Sequence, residues 1–162
     1  MTSKKVDTTS RGLFNASGPA HIDRDTMSET LQPEVGTISW TDITVDNAGD
    51  LKDFYAAVVG WKPDPVKMGN YNDYAMFTPS GSGCVAGICH ARGVNAGLPS
   101  VWLVYITVGN LSESILKCEE HGGSVLGEPR NMGSAGRFCV IRDPSGAVVA
   151  LFEPALEEEK AS

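Results

Sequence analysis

Apolar and polar residues follow the same pattern twice along the chain, at a spacing of 63 positions. Residues 42–47 (DITVDN) match residues 105–110 (YITVGN), and residues 83–88 (GCVAGI) match residues 146–151 (GAVVAL). An ungapped match across two whole units indicates two copies of one structural unit, because unrelated segments rarely keep a common register over such a length.

Each copy is predicted to begin with a strand that is followed by a helix. The strands, Thr37 to Val45 and Val101 to Val108, are apolar and rich in β-branched residues. In the second copy Asn110 is a helix N-cap, and Glu113, three residues further on, completes a capping box. Gly122-Gly123 ends this helix.

Apolar residues at helical spacing predict the buried side of each helix. In the second copy they are Leu111, Ile115 and Cys118. In the first copy they are Leu51, Phe54 and Val58, and Gly60 ends the helix.

Three further strands are predicted after each helix, and the last two form a hairpin. The hairpin turns are residues 143–146 (DPSG) in the second copy and residues 80–83 (SGSG) in the first. Each copy is therefore a βαβββ module, and the fold class is α+β. Four strands with one helix on one face leave the other face bare, so the two modules are expected to form a curved mixed sheet around a cleft. Such a cleft predicts a small-molecule ligand.

The two modules occupy residues 36–154. Residues 1–35 are rich in Ser, Thr, Asp and Gly and have no sustained periodicity, which predicts a flexible N-terminal tail. Docking of Gly12-Leu13-Phe14 on the domain or on a partner stays open as an alternative. Residues 155–162 are interpreted as an acidic, solvated end.

Composition and charge exclude several classes of function. A net charge of −7 argues against nucleic acid or an anionic membrane as partner. No apolar run reaches the roughly twenty residues of a membrane span. No apolar core follows Lys4 and Lys5, so no signal peptide is predicted and a cytoplasmic location is expected. The four cysteines form no CxxC pair and are expected to be reduced and buried.

Two segments carry a resemblance to a known family. One is residues 40–45 (WTDITV), followed by Leu51-x-x-Phe54-Tyr55 and Val59-Gly60-Trp61. The other runs from Gly136-Arg137-Phe138 through Asp143-Pro144-x-Gly146 to residues 151–154 (LFEP). Together they resemble the glyoxalase/bleomycin resistance protein/extradiol dioxygenase (vicinal oxygen chelate, VOC) superfamily. The resemblance covers essentially all of residues 36–154 and implies the fold of that family.

The resemblance also implies four positions for metal ligands, usually His, Gln or Glu, on the first and last strands of the two halves. In this chain those positions carry Trp40, Gly87, Leu103 and Ala150. None of these residues binds a metal ion through its side chain. We therefore expect no metal and no other cofactor, and we do not expect a metal-dependent lyase or dioxygenase.

Strand alternation predicts which side chains line the cleft. Pairing Arg142 with Ala147 across the second turn places Arg137, Cys139 and Ile141 on the inner wall. Tyr74, Met76 and Thr78 are the equivalent positions of the first half, and they face Val85, Gly87 and Cys89. The candidates for ligand contact are Trp40, Asp42, Tyr74, Tyr105, Arg137 and Phe152.

Several of these candidates have a structural alternative. Asp42 and Tyr105 are expected to face each other near the cleft floor, where they form a structural hydrogen bond, contact the ligand, or do both. Trp40 either fills the core or stacks on the ligand. Arg137 either binds a carboxylate or is a solvated charge. No Ser-His-Asp or Cys-His grouping is readable, so the catalytic residues stay unknown.

The sequence predicts a metal-free, glyoxalase/bleomycin-resistance-like protein that binds a small hydrophobic or aromatic molecule. The alternative is a metal-independent enzyme of the same fold, of isomerase, lyase or hydrolase type, that uses cleft groups such as Asp42 and Tyr105 as acid and base. Whether the chain is an enzyme, and whether it forms a homodimer, stays open at this point.

Overall fold

A computed structural model describes residues 33–155, so most of the predicted tail and the acidic end lie outside the described residues. The first half contains β1 (Ile38–Val45), α1 (Ala48–Val59), β2 (Lys62–Met68), β3 (Tyr71–Phe77) and β4 (Cys84–His90). The second half contains β5 (Trp102–Thr107), α2 (Leu111–Glu120), β6 (Ser124–Val125), β7 (Arg130–Asn131), β8 (Gly136–Arg142) and β9 (Val148–Pro154).

All of these strands belong to one mixed sheet, in the order β2-β3-β4-β1-β5-β9-β8-β6, with β7 also paired to β8. Antiparallel pairing of β1 with β5 joins the two halves, and within each half the first strand lies parallel to the last. The predicted α+β class and curved mixed sheet are confirmed. Neither helix in this part of the chain is long and apolar enough to cross a membrane.

The spacing of 63 holds where the first and last strands of each half pair. Asp42 lies opposite Gly87, and Tyr105 lies opposite Ala150. Adding 63 to the numbers of Asp42 and Gly87 gives 105 and 150, the numbers of the second pair. The repeat in the sequence therefore corresponds to a repeat in strand register.

The repeat is not ungapped, however, because the hairpins differ in length. Met76 pairs with Ala86, ten positions later, whereas Ile141 pairs with Val149, eight positions later. A register shift after Met76 marks the irregularity in the first hairpin. As a result, β3 corresponds to β8 at a spacing of 65.

The helix ends show the predicted N-cap and the predicted terminal glycine, but not the predicted capping box. The Asn110 side chain accepts a hydrogen bond from the Glu113 N–H at 3.0 Å, as an N-cap does. The Glu113 carboxylate accepts from Lys117 instead of closing a capping box. Gly60 ends α1 with a φ of 75°, a left-handed conformation that glycine adopts without a Cβ clash.

The predicted buried stripe of α1 is wrong at two positions. Phe54 and Val58 are 54% and 62% exposed. Ala48, Leu51 and Tyr55 pack on the sheet instead, at spacings of three and four residues. The predicted and the observed stripe both contain Leu51 and both have helical spacing, so the sequence pattern alone did not distinguish them. In α2 the predicted residues Leu111, Ile115 and Cys118 all lie in the helix-side core.

The cysteines are all free thiols, but they are not uniformly buried. Cys139 is buried, Cys89 and Cys118 are intermediate, and Cys84 is exposed beside the first hairpin turn. The expectation that all four would be buried is therefore wrong.

Candidate functional site

An open cavity of about 480 Å³ lies on the concave face of the first half. Trp40, Asp42, Gly87, Cys89 and Tyr105 line its inner part. Apolar side chains from β2 and from two loops complete the wall, namely Val66, Met68, Val94 and Met132. The site thus combines a mainly apolar enclosure with a few polar groups, as small-molecule sites generally do.

The matching concave face of the second half is filled by side chains. Leu98, Leu103, Tyr105, Phe138, Val140 and Ala150 form a buried core there, with Trp40, Leu126, Val148 and Phe152 packed against it. The two halves therefore have equivalent backbones but differ in how side chains occupy their concave faces. One concave face is core, and the other is open.

Residue size on the last strands explains part of this difference. Gly87 and Cys89 face the open cavity, and Ala150 and Phe152 occupy the equivalent places in the second half. A phenylalanine therefore stands in the filled half where a cysteine stands in the open half.

The neighbouring strands repeat the same contrast. By pairing register, Asp73 and Ala75 on β3 correspond to Phe138 and Val140 on β8. Phe138 and Val140 are 1% and 2% exposed in the filled half. Small or polar residues thus leave space in the first half that larger apolar residues occupy in the second.

An arginine links two of the segments that line the cavity. Arg130 on β7 donates hydrogen bonds to the main-chain carbonyls of Val94 and Ala96, the latter at 3.0 Å. Val94 belongs to the segment between the two halves, and Met132 follows shortly after Arg130 in the chain. This contact fixes two lining segments that no sequence motif had indicated.

Four of the six predicted contact residues border the cavity: Trp40, Asp42, Tyr74 and Tyr105. Ile43 and Val45 lie in the helix-side core, so the predicted alternation of β1 is confirmed, and contact with a ligand stays a prediction. Phe152 faces the concave side but borders a smaller adjoining pocket of about 200 Å³, together with Trp40 and Tyr105.

The placement of Arg137 on the inner wall is wrong. Its guanidinium pairs with the Glu153 carboxylate at 3.0 Å, and Glu153 also accepts a hydrogen bond from the Leu111 N–H at the start of α2. The Arg137 pairing is the main cause of the lowered pKa of Glu153. Arg137 therefore lies on the helix side, beside a separate shallow pocket.

The orientation of Tyr74 is also wrong, although the residue borders the cavity. Its hydroxyl lies near Gly49 on α1, and the Lys52 ammonium lies 5.2 Å from its ring centroid. The ring is thus on the helix face. Met76, predicted to face inward, lies in the helix-side core as well.

These errors have one physical cause, the register of the hairpins. Arg142 pairs with Val148, not Ala147, because the second turn closes through an Asp143 N–H to Ala147 carbonyl hydrogen bond of 2.9 Å. A shift of one residue exchanges the two faces of a strand. Cys139 and Ile141 accordingly pack on α2 instead of lining the cleft.

The buried carboxyl group of Asp42 has a raised pKa. It is 7% exposed and accepts a hydrogen bond from the Tyr105 hydroxyl at 3.4 Å, as the sequence predicted. Burial raises its pKa from 3.8 to about 6, and the Tyr105 and Trp40 side chains oppose this rise only in part. Asp42 therefore titrates close to neutral pH.

Two neighbouring groups are held in their protonated forms. Burial raises the pKa of the Tyr105 phenol, and the charge of Asp42 raises it further. The same two causes raise the pKa of the Cys89 thiol. Cys89 is thus not a thiolate at neutral pH, which argues against a role as nucleophile.

Asp73, the second carboxylate of the cavity, was not among the residues predicted from the sequence. It is 5% exposed, and its Oδ1 accepts a hydrogen bond from the His90 N–H at 2.7 Å and lies 3.2 Å from His90 Nδ1. The correct register of the first hairpin would have placed Asp73 on the concave face of β3.

The four positions implied for metal ligands do not fit a metal ion. Trp40, Leu103 and Ala150 pack in or against the second-half core. A Cβ atom added to Gly87 would lie 3.5 Å from Trp40 Cζ2 and 3.0 Å from Asp42 Cβ. Between residues 33 and 155, no group of three or more His, Cys, Asp or Glu is arranged to hold a metal.

The strand order and the cavity define a protein of two βαβββ modules that share one sheet around a cleft. The chain belongs to the Glyoxalase/Bleomycin resistance protein/Dioxygenase superfamily, whose model matches residues 37–151.

Similar proteins agree with this assignment. The chain is 31% identical over 132 residues to the "Putative glyoxylase CFP32" of Mycobacterium tuberculosis, covering 82% of this chain and 49% of that protein. It is 25% identical over 134 residues to the anthracycline biosynthesis protein DauV of Streptomyces sp., covering 76% and 49%. The chain thus spans about half the length of these curated relatives.

A solved structure supports the fold. The protein BH1468 of Bacillus halodurans superposes with a TM-score of 0.50 at 14% identity, covering 78% of this chain and all of that one.

The raised pKa of Asp42 predicts a specific pH dependence of stability. Between about pH 4 and pH 6 the folded protein holds a proton that the unfolded chain has released, so stability falls as pH rises through this window. Asp42→Asn removes this titration. We expect the stability of the variant relative to wild type to increase by up to about 3 kcal/mol between pH 4 and pH 7.

Urea denaturation of both proteins at pH 4, 5, 6 and 7 measures this change. Because Asp73, Cys89 and Tyr105 lie near Asp42 in both proteins, the comparison isolates the Asp42 proton to first order. Asp64→Asn, at an exposed position of β2, is the matched control and should show no such trend. A pH-independent difference for Asp42→Asn would contradict the raised pKa.

Proposed function

We propose that this protein binds a small hydrophobic or aromatic molecule in the cavity of its first half, without a metal ion at the positions that the family uses. The observation that carries the proposal is the open, largely apolar cavity of about 480 Å³, set beside an equivalent face that is largely filled by a buried core. A concave, mainly apolar surface of this size is typical of a ligand site.

The names of the relatives support a small-molecule role. One is named as a glyoxylase and the other for anthracycline biosynthesis. The residue types at the four ligand positions favour binding without the family's metal. A cytoplasmic location and the absence of nucleic-acid partners stay predictions from the sequence, and the question of a homodimer stays open.

A metal-independent enzyme is the second candidate, and the titration of Asp42 favours it. A carboxylate with a pKa of about 6 exchanges protons near neutral pH, which is the property of a general acid or base. The Tyr105 hydroxyl donates its proton to the Asp42 carboxylate at 3.4 Å, so its oxygen is left to accept a hydrogen bond from a ligand donor. An isomerase, lyase or hydrolase step would place the mobile proton of the ligand next to Asp42.

A thermal-shift screen of aromatic metabolites and antibiotics tests the binding proposal. Any compound that binds the folded state raises its melting temperature by mass action, and calorimetric titration should then show one site per chain. A broad screen without any such compound would contradict the proposal.

Solvent exchange separates binding from catalysis. A bound compound incubated in D₂O is expected to keep its carbon-bound hydrogens if the protein only binds it. Deuterium incorporation or product formation that is seen with wild type and lost in Asp42→Asn would establish the enzyme, provided that the variant still binds the compound.

Divalent metals are expected to leave the melting temperature unchanged. Nickel, zinc, manganese and iron(II) added in excess should shift it by less than about 1 °C, because Trp40, Gly87, Leu103 and Ala150 offer no ligand atoms in their side chains. Elemental analysis of protein purified without chelator gives an independent measurement. About one bound metal per chain would overturn the metal-free part of the proposal.

A further inference from the structure

The charges on the wall of the cavity are of one sign. Asp42 and Asp73 both line it. Among the described residues that line it, none is Lys, Arg or His. Arg130 does not line the cavity: its guanidinium donates to the main-chain carbonyls of Val94 and Ala96, and its positive charge is the smallest of the influences on the pKa of Tyr105. The cavity therefore presents negative charge to whatever enters it.

The two carboxylates differ in how they are satisfied. Asp73 has a local partner, since the main-chain N–H and the ring of His90 both approach its Oδ1. Within residues 33–155, the donors near Asp42 are uncharged: the Tyr105 hydroxyl at 3.4 Å and the Trp40 indole. A carboxylate has about four acceptor sites, so Asp42 retains capacity for a further donor from the cavity side.

The surroundings of Asp42 suit a positive charge in particular. The aromatic side chains of Trp40 and Tyr105 line the same part of the cavity, and aromatic faces attract cations. A protonated amine would form a charge-assisted hydrogen bond with Asp42, whereas a ligand carboxylate would meet two like charges. The net charge of −7 also favours the approach of cations over anions.

We infer that the cavity selects ligands that carry a protonated amine on a hydrophobic or aromatic body, with Asp42 as the counter-ion of the amine. This inference rests on the proposed function, because it specifies the chemistry of the ligand at the same site. Asp42 is the selectivity-determining residue, and the apolar wall accepts the body of the ligand.

Three naphthalene probes of the same ring and different charge test the inference. They are 1-naphthylmethylamine, 1-naphthalenemethanol and 1-naphthoate, titrated calorimetrically into the full chain at pH 7.5. We expect the amine to bind at least about tenfold more tightly than the alcohol, and the carboxylate to bind most weakly.

Asp42→Asn should remove the preference for the amine while the alcohol keeps its affinity within about threefold, because the amide still accepts a hydrogen bond but has no charge. Asp64→Asn removes the same charge from an exposed position outside the cavity and should leave the order of the three probes unchanged. Circular dichroism of both variants establishes that they are folded.

The outcomes distinguish this inference from the proposed function. Equal binding of amine and alcohol, in wild type and in Asp42→Asn alike, overturns the charge selection and leaves the binding site in place. Tightest binding of the carboxylate overturns it as well. Failure of all three probes to bind would count against the cavity as an aromatic site, and the inference would fall with the proposed function.

Discussion

Phe138→Ala is expected to lower the free energy of unfolding by about 3–5 kcal/mol, the largest loss of stability that we predict. Phe138 is 1% exposed and lies in the core that fills the concave face of the second half. Its ring centroid is 5.5 Å from that of Tyr105. Removing the ring leaves a void whose neighbours sit on paired strands and have little freedom to move inward.

Urea denaturation at pH 7 measures this loss. Phe54→Ala is the matched control, because Phe54 is 54% exposed on α1 and its truncation should cost no more than about 1 kcal/mol. Equal costs for the two substitutions would contradict a filled second half, and with it the structural contrast on which the ligand cavity rests.

Cys89→Phe is expected to weaken ligand binding by at least about tenfold, the largest effect on binding that we predict. Cys89 lines the cavity at the position equivalent to Phe152, so the substitution places in the open half the side chain that the filled half contains. Because the ring enters existing space, we expect the melting temperature to stay constant or to rise.

The probe for this experiment is the tightest binder among the three naphthalene compounds. Cys84→Phe makes the same change at an exposed residue of β4 that does not line the cavity, and it should leave the affinity unchanged. Undiminished binding by a folded Cys89→Phe protein would place the ligand elsewhere. A marked fall in melting temperature would show that the cavity is less open than the structure indicates.

Both experiments test whether the two copies of the module have different roles, one contributing its concave face to the core and the other leaving it open for a ligand. A domain of this size needs all the apolar burial it is able to obtain, because its surface is large for its volume. Filling one concave face with Phe138, Val140 and their neighbours adds to the core. The equivalent face is then free to remain open for a ligand.

Much of the fold was predictable because its signals are local or repeated. The spacing of 63 indicated two modules, and the pairing of Asp42 with Gly87 and of Tyr105 with Ala150 repeats at that spacing. The alternation in β1 was predictable because Trp40 in the cleft places Asp42 on the same face and Ile43 and Val45 toward the helix, where they lie.

The candidate site was predictable only where strand direction did not depend on a turn. The faces of β1 and β5 were assigned from Trp40 and Leu103, the positions that the resemblance places in the cleft, and Trp40, Asp42 and Tyr105 all line the cavity. Arg137 and Tyr74 lie on strands whose faces were deduced from turn length. One residue of error in a turn moved both to the wrong face.

The sequence by itself determined the two-module α+β fold, the residue types at the four ligand positions, and the inward direction of Asp42 and Tyr105. Only the tertiary structure decided that one concave face is filled and the other open, since this depends on hairpin register and on side-chain volume across paired strands. It also decided the pKa of Asp42, because that value reflects the burial of the carboxylate by residues distant in the chain. A local pattern gives the direction of a side chain where the strand face is set independently of a turn, whereas the space and the dielectric around it arise only when the strands are assembled.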